Sequence, residues 1–193
     1  MTQDEDVTQA ARIIASGGVI AHPTEGVFGL ACDPGSANAL QRILLIKGRD
    51  RGKGLILLAH DIASLQPYCA EFTPSMVATL TESRSHPTTF IVPAASDAPE
   101  VLTGGRTTIA IRITTHPLSL ALCRMLNHPV VSTSANLGGE PPARDATTVH
   151  DTLGPRLDLI LDGPLGDAMG PSAIIDIVTG DVIRAVPSTE KTP

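Results

Sequence analysis

Along nearly the whole chain, short apolar runs of strand length alternate with segments whose apolar residues return every three or four positions. The plainest run is Leu55 to Ala59, uninterrupted and consistent with a central strand. Val7, Ala10, Ala11 and Ile14 keep helical spacing until Gly17-Gly18 stops them, and residues 18–21 follow as a short buried strand. Ser36 is placed to cap a helix with the stripe Ala37, Leu40, Ile43 and Leu44. Gly48 stands where a left-handed C-terminal cap belongs, with Lys47 in the last turn. Thr73-Pro74 opens a helix to about Thr81, another runs from about Pro117 to Leu126 before Asn127, and a short one spans 146–153. Further strands fall at 89–92, 108–113, 130–134 and near 157–161. A final pair, 173–178 and 181–186, turns at Thr179-Gly180. Some strands are joined through helices and others by tight turns. The prediction is an α/β fold of the α+β type, a mixed parallel and antiparallel sheet of about seven strands flanked by helices.

Composition narrows the class. A length of 193 residues with 42% hydrophobic and 18% charged residues supports one domain with a real core, and excludes a disordered chain. The expected layout is a flexible start at 1–6, one domain over 7–187 and a flexible end at 188–193. Net charge is −6 and the only aromatics are Phe28, Phe72, Phe90 and Tyr68. Both argue against a protein built to grip nucleic acid, because phosphates need cations and bases need stacking rings. Cys32, Cys69 and Cys123 are scattered, with no Cys-x-x-Cys pair. His22, His86, His116 and His128 each precede proline and form no cluster, so no metal site is expected. The acidic first residues lack the pattern of a signal peptide, and no apolar run approaches the roughly 20 residues that cross a bilayer. A cytoplasmic location is the expectation.

Four constellations carry chemistry. Lys47-Gly-Arg-Asp-Arg-Gly-Lys-Gly54 sets four cations at alternate positions after a helix. They either complement the helix dipole and a solvated loop, or neutralise phosphate oxygens beside glycines that admit a ligand to the backbone. The spacing is not that of a phosphate-binding Walker loop. Ser132-Thr-Ser-Ala-Asn136 ends an apolar strand, so its hydroxyls and amide serve either turn chemistry or a polar ligand beyond the strand end. Arg112 lies inside an apolar strand on the face of Thr108 and Ala110. It requires an anionic partner, structural or bound. Pro23-Thr24-Glu25 is a polar turn directly after a buried strand.

Taken together, Pro23-Thr24-Glu25-x-Val27-x-Gly29-Leu30, Lys47-x-Arg49, Ala110-x-Arg112, Ser132-x-Ser134-x-Asn136 and Pro171-Ser172-x-x-Ile175-Asp176 form an ordered series. With it the chain resembles the YrdC-like threonylcarbamoyl-AMP synthases in their short, single-domain form, from about Ala10 to Arg184. The resemblance implies a concave, twisted mixed sheet with the substrates in its hollow. It also implies a reaction joining L-threonine, bicarbonate or carbon dioxide, and ATP into threonylcarbamoyl-AMP and pyrophosphate. A transferase complex then modifies tRNA beside the anticodon. On the same ground, Lys47 and Arg49 are the expected catalytic cations, and Thr24, Arg112 and Ser172 the threonine site. Lys47, Arg51, Thr108, Ser132, Ser134, Asn136, Pro142 and Arg184 would hold ATP, which brings Mg2+ with it. Direct tRNA binding is expected to be weak or absent. Where many relatives carry Trp-Pro-Gly-Pro, this chain has Arg84-Ser85-His86-Pro87. The alternative is a tRNA- or double-stranded-RNA-binding module of the same fold. A carbamoyltransferase module ranks last, because the zinc-finger and acylphosphatase segments of such chains do not occur here.

Overall fold

The computed structural model describes residues 2–186, and each helix begins and ends where local chemistry allows. In α1 (Gln3–Ala15), Thr2 and Glu5 form a reciprocal capping box, while Asp4, Glu5 and Asp6 complement the dipole of the first turn. The acidic segment expected to be loose is therefore a helix from residue 3 onward. Its stripe of Val7, Ala10, Ala11 and Ile14 is buried as the spacing predicts. Ser36 caps α2 (Ala37–Lys47), which ends at Gly48 in the left-handed conformation with φ 55°. Thr73 caps α3 (Pro74–Thr81). A four-residue α4 (Glu100–Thr103) precedes Gly104. His116 caps α5 (Pro117–Leu126), which stops at Asn127 with φ 56°, and Asp145 caps α6 (Ala146–Leu153). The expected flexible end at 188–193 lies outside the described residues.

Among the described residues the sheet has nine strands where about seven were expected. They are β1 (Ile20–Pro23), β2 (Phe28–Cys32), β3 (Ile56–Ala59), β4 (Thr88–Pro93), β5 (Thr108–Ile113), β6 (Val130–Ser134), β7 (Leu159–Ile160), β8 (Ala173–Asp176) and β9 (Val182–Arg184). Their order is β7-β1-β2-β6-β3-β5-β4-β8-β9. β1–β7, β3–β5 and β4–β8 pair in parallel and the other neighbours antiparallel, so the sheet is mixed as expected. β2 is the strand that the apolar pattern does not single out.

Register decides what each face does. Ala31, Ser132, Ile56, Ala110, Ile91 and Asp176 are successive partners across six strands and so share one face. On that face α1 and α5 cover Ile20, Ala31, Leu58 and Val130, which form one buried cluster with Ile14, Leu118 and Leu122. The opposite face carries Leu30, Leu57, Ile109, Ile111 and Val131, packed with Ile43 of α2 and Val149 of α6. The two helices leave the rest of the first face open. Cys32, Cys69 and Cys123 are buried and free, and burial pushes each thiol up to about 12.

Candidate functional site

The uncovered part of that face is the floor of a cavity of about 490 Å³. Its wall includes Thr24, Arg49, Thr108, Arg112, Ser132, Ser134, Ser172 and Arg184 of the predicted site residues. Alternation in β5 works as predicted: Ile109 and Ile111 enter the core, whereas Thr108, Ala110 and Arg112 face the cavity.

Lys47 is the last residue of α2 and only 4% exposed. Its ammonium donates to the Ser134 carbonyl, to the Asn136 carbonyl at 3.0 Å and to Asn136 Oδ1 at 2.9 Å. Asn136 is fixed in turn: Ser134 Oγ donates to its Oδ1 at 2.6 Å, and its amide donates to the Leu137 and Glu140 carbonyls. The loop closes on the helix end because Gly138 N donates to the Lys47 carbonyl at 2.9 Å. A Cβ at residue 138 would stand 2.9 Å from that oxygen, so only glycine fits without movement. Two sequence motifs, 87 to 89 residues apart, are thus one corner. Burial first, and then Arg49, lower the Lys47 pKa to about 8.

The guanidiniums are less completely paired. Arg49 Nη2 donates to the Gly54 carbonyl at 3.1 Å, while its Nε is buried without a partner. Burial and then Arg106 hold its pKa below the ordinary arginine value. Arg112 meets a structural carboxylate, Glu25, at 3.4 Å, and its Nε is also buried and unpaired. Burial pushes the Glu25 carboxyl up, but Arg112 and the hydrogen bonds from Thr114 and the Thr115 N–H outweigh it and the net shift is downward. Arg184 Nε donates to the Ser172 carbonyl at 2.9 Å and its Nη2 to Ser172 Oγ at 3.3 Å. Burial, then Arg112 and Arg49, lower its pKa. The Ser172 hydroxyl also lies 2.7 Å from Thr89 Oγ1, and Thr24 Oγ1 donates to the Val27 carbonyl at 2.7 Å.

Four predicted residues do not line the cavity, and the first is Lys47, which reaches the wall only through its bond to Ser134. Arg51 turns to Gln41 on α2, and it does not line the cavity. Its place in the alternating series exposes it, because residues 51–53 form a 3-10 turn capped by Asp50. Pro142 and Asn136 are also absent from the wall, and Asn136 acts on Lys47 instead. In their place the cavity has Lys53 and Arg106. Arg106 follows Gly104-Gly105, both at positive φ, and its Nη1 donates to the Gly52 carbonyl at 2.8 Å. That contact spans 54 residues, and no local pattern announces it. The lining cations are therefore Arg49, Lys53, Arg106, Arg112 and Arg184, facing the lining carboxylate Asp176. In a chain of net charge −6 this concentrates positive potential in one hollow. A second hollow, of about 1070 Å³, runs past Glu25, His60 and the Arg84–Pro87 segment.

No group of three or more metal-ligating side chains occurs among the described residues. Asp176 Oδ1 already accepts from the Val178 and Thr179 N–H groups. The donor set therefore suits a magnesium ion that arrives on a nucleotide's phosphates, keeping its waters, better than one held by a protein cage. No helix of the described chain is long and apolar enough to cross a membrane.

The family model Sua5_yciO_yrdC, described as telomere recombination, matches residues 12–185. The threonylcarbamoyl-AMP synthase of Nitrosococcus oceani is 49% identical over 178 residues, which are 92% of this chain and 96% of that protein. The protein of the same name from Thiobacillus denitrificans is 46% identical over 169 residues, 88% of this chain and 89% of that one. Among solved structures, P. abyssi Sua5 complexed with L-threonine superposes with a TM-score of 0.85 at 28% identity, over 91% of this chain and 52% of that one. The chain thus spans about half the length of Sua5. E. coli YciO superposes with a TM-score of 0.80 at 30% identity, over 95% and 90% of the two chains.

Proposed function

The chain belongs to the Sua5–YciO–YrdC family, and we propose that it is a threonylcarbamoyl-AMP synthase. It joins L-threonine, bicarbonate or carbon dioxide, and ATP into threonylcarbamoyl-AMP and pyrophosphate, for the threonylcarbamoyladenosine modification of tRNA. The observation that carries this reading is the convergence of Arg49, Lys53, Arg106, Arg112 and Arg184 on one cavity in an acidic chain, with Lys47 bonded to Ser134 of its wall. Relatives covered almost end to end bear the synthase name.

The chemistry joins anions. The threonine amine attacks carbon dioxide and loses a proton to solvent, giving a carbamate. A carbamate oxygen then attacks the α-phosphorus, and pyrophosphate leaves with the bond electrons. Fixed cations that neutralise both partners, and the charge developing on the leaving group, supply the main acceleration. Arg49 meets the reacting phosphate from the cavity wall, and Lys47, held by Ser134 and Asn136, adds its charge from behind. Arg106 and Lys53 take the outer phosphates in the role first expected of Arg51. The unpaired edge of Arg112 takes the threonine carboxylate, beside Thr24 and Ser172. Thr108, Ser132 and Ser134 position the nucleotide, and Arg184 closes the far wall. Magnesium enters as part of the nucleotide substrate and shares its charge.

The lining cations sit inside a hollow, with Arg112 buried. This suits a small polyanion better than the open ridge that a phosphate backbone requires. The product then passes to a separate transferase that holds the tRNA. Incubation with ATP, magnesium, bicarbonate and labelled L-threonine, followed by mass analysis, tests the reading. Threonylcarbamoyl-AMP and pyrophosphate are expected in equal amounts. Tight, salt-sensitive RNA binding with neither product would replace the reading with the RNA-binding one.

A further inference from the structure

Below the cavity floor lies a histidine that the reaction scheme does not use. His22 is wholly buried on β1, opposite Gly29 of β2. Its Nδ1 is 3.1 Å from Ser119 Oγ, and that hydroxyl donates to the Pro23 carbonyl at 2.8 Å. With its proton committed to Pro23, Ser119 Oγ accepts, so Nδ1 carries the imidazole proton and Nε2 presents a lone pair. That Nε2 is buried with no partner. An unpaired buried acceptor costs stability, which marks it as an atom in need of a function.

The side chain missing at residue 29 shows where Nε2 is directed. A Cβ there would meet Ser132 Oγ at 3.1 Å, His22 Nε2 at 3.4 Å and Thr24 Cγ2 at 3.4 Å. Gly29, Thr24 and Ser132 all line the cavity. They outline a tight notch in its floor, too narrow for a Cβ at residue 29 without movement, with the imidazole edge at its base. The Thr24 methyl is turned to the notch while its hydroxyl is held by the Val27 carbonyl. Bulk water does not reach Nε2. A partner therefore reaches Nε2 only when the Ser132 side chain rotates out of the notch.

We propose that His22 Nε2 accepts a hydrogen bond from the α-amine of the amino-acid substrate, seated in the notch above Gly29. The proposal rests on the synthase reading. An acceptor without a proton calls for a donor, and the substrate's carboxylate is already matched to Arg112. Burial first, then His116 and Arg112, with Glu25 opposing them, hold the imidazole pKa down to about 3. Such a group orients an N–H without taking its proton. The surrounding Arg112, Arg184 and Arg49 disfavour an ammonium ion and favour the free amine, whose lone pair must attack carbon dioxide. His22 is thus a substrate-binding residue that aims the amine.

The test combines kinetics with nitrogen NMR of the full chain labelled at histidine. Adding threonine should shift the His22 Nε2 resonance, and ATP alone should not. α-Aminobutyrate, which lacks the threonine hydroxyl, should still shift it; loss of the shift with that analogue would assign the contact to the hydroxyl and overturn the proposal. His22→Phe keeps the ring and removes the acceptor, and should raise the threonine KM about tenfold with the ATP KM unchanged. Should that variant not fold, Gly29→Ala fills the notch at a residue outside the left-handed region, and should raise the threonine KM more than the ATP KM. An unshifted resonance in a wild type that makes threonylcarbamoyl-AMP would overturn the contact and leave the function standing. A threonine-induced shift without any product would support the contact and overturn the synthase reading.

Discussion

Two corners of the cavity are built on opposite terms. At the Lys47 corner, polar groups are committed within the protein: the ammonium to Ser134 and Asn136, the Asn136 amide to Leu137 and Glu140, and the helix end to Gly138. On the other side, the Arg112 Nε and the His22 Nε2 acceptor are both buried and unpaired. A committed corner is a fixed electrostatic element, ready for charge that develops only during reaction. A corner with unpaired atoms is incomplete until a ligand arrives. Removal of a group from the first should therefore act on kcat, and from the second on KM.

The largest effect is expected at Lys47. Lys47→Ala should lower kcat for threonylcarbamoyl-AMP formation by roughly 10²–10³, in line with loss of one preorganised charge beside the transition state. Stopped-time product analysis reads it, and a change confined to KM would erase the distinction between the corners. Next is Arg112→Ala, expected to raise the threonine KM about 10- to 100-fold, as for a charge-assisted hydrogen bond, with the ATP KM little changed. An equal rise for ATP would place Arg112 at the nucleotide instead.

Gly138→Ala tests how rigid the committed corner is. Its Cβ would press on the Lys47 carbonyl, and a loss of about 1–3 kcal/mol in denaturant stability is expected. Unchanged stability would mean that the loop gives way easily.

The pH dependence separates chemistry from stability. The folded-state pKa of Lys47 is about 8, below its ordinary value of 10.5. Activity that needs the ammonium should fall as pH rises through about 8. Between about 8 and 10.5 the unfolded chain binds the extra proton, so this group's contribution to stability rises over the same window. Parallel rate and melting profiles check the sign. The smallest effect belongs to Arg51→Ala, expected to change either KM less than about twofold, because Arg51 contacts Gln41 outside the cavity.

The helices were legible because their ends carry chemistry: Ser36 with Gly48, Thr73 with Pro74, and Asn127 at positive φ. Thr2 with Glu5 was equally available and begins α1 earlier than its apolar stripe suggests. β2 was obscured by the site it serves. Its residues toward the cavity face are Gly29 and Ala31, small enough to admit the His22 edge and too small to look like a strand. The cation segment signalled its chemistry but not its directions, since the 3-10 turn at 51–53 breaks simple alternation. Arg106 to Gly52 and Glu25 to Arg112 join positions 54 and 87 residues apart, so only the folded sheet brings them together.

The most direct test is a threonine titration of the Lys47→Ala and Arg112→Ala variants side by side, following pyrophosphate and threonylcarbamoyl-AMP together. A low plateau at an ordinary half-saturation for Lys47→Ala, and a near-normal plateau reached only at high threonine for Arg112→Ala, is the predicted pair of curves. Superimposable curves, or full activity in both variants, would contradict the division of the cavity into a fixed corner and a waiting one.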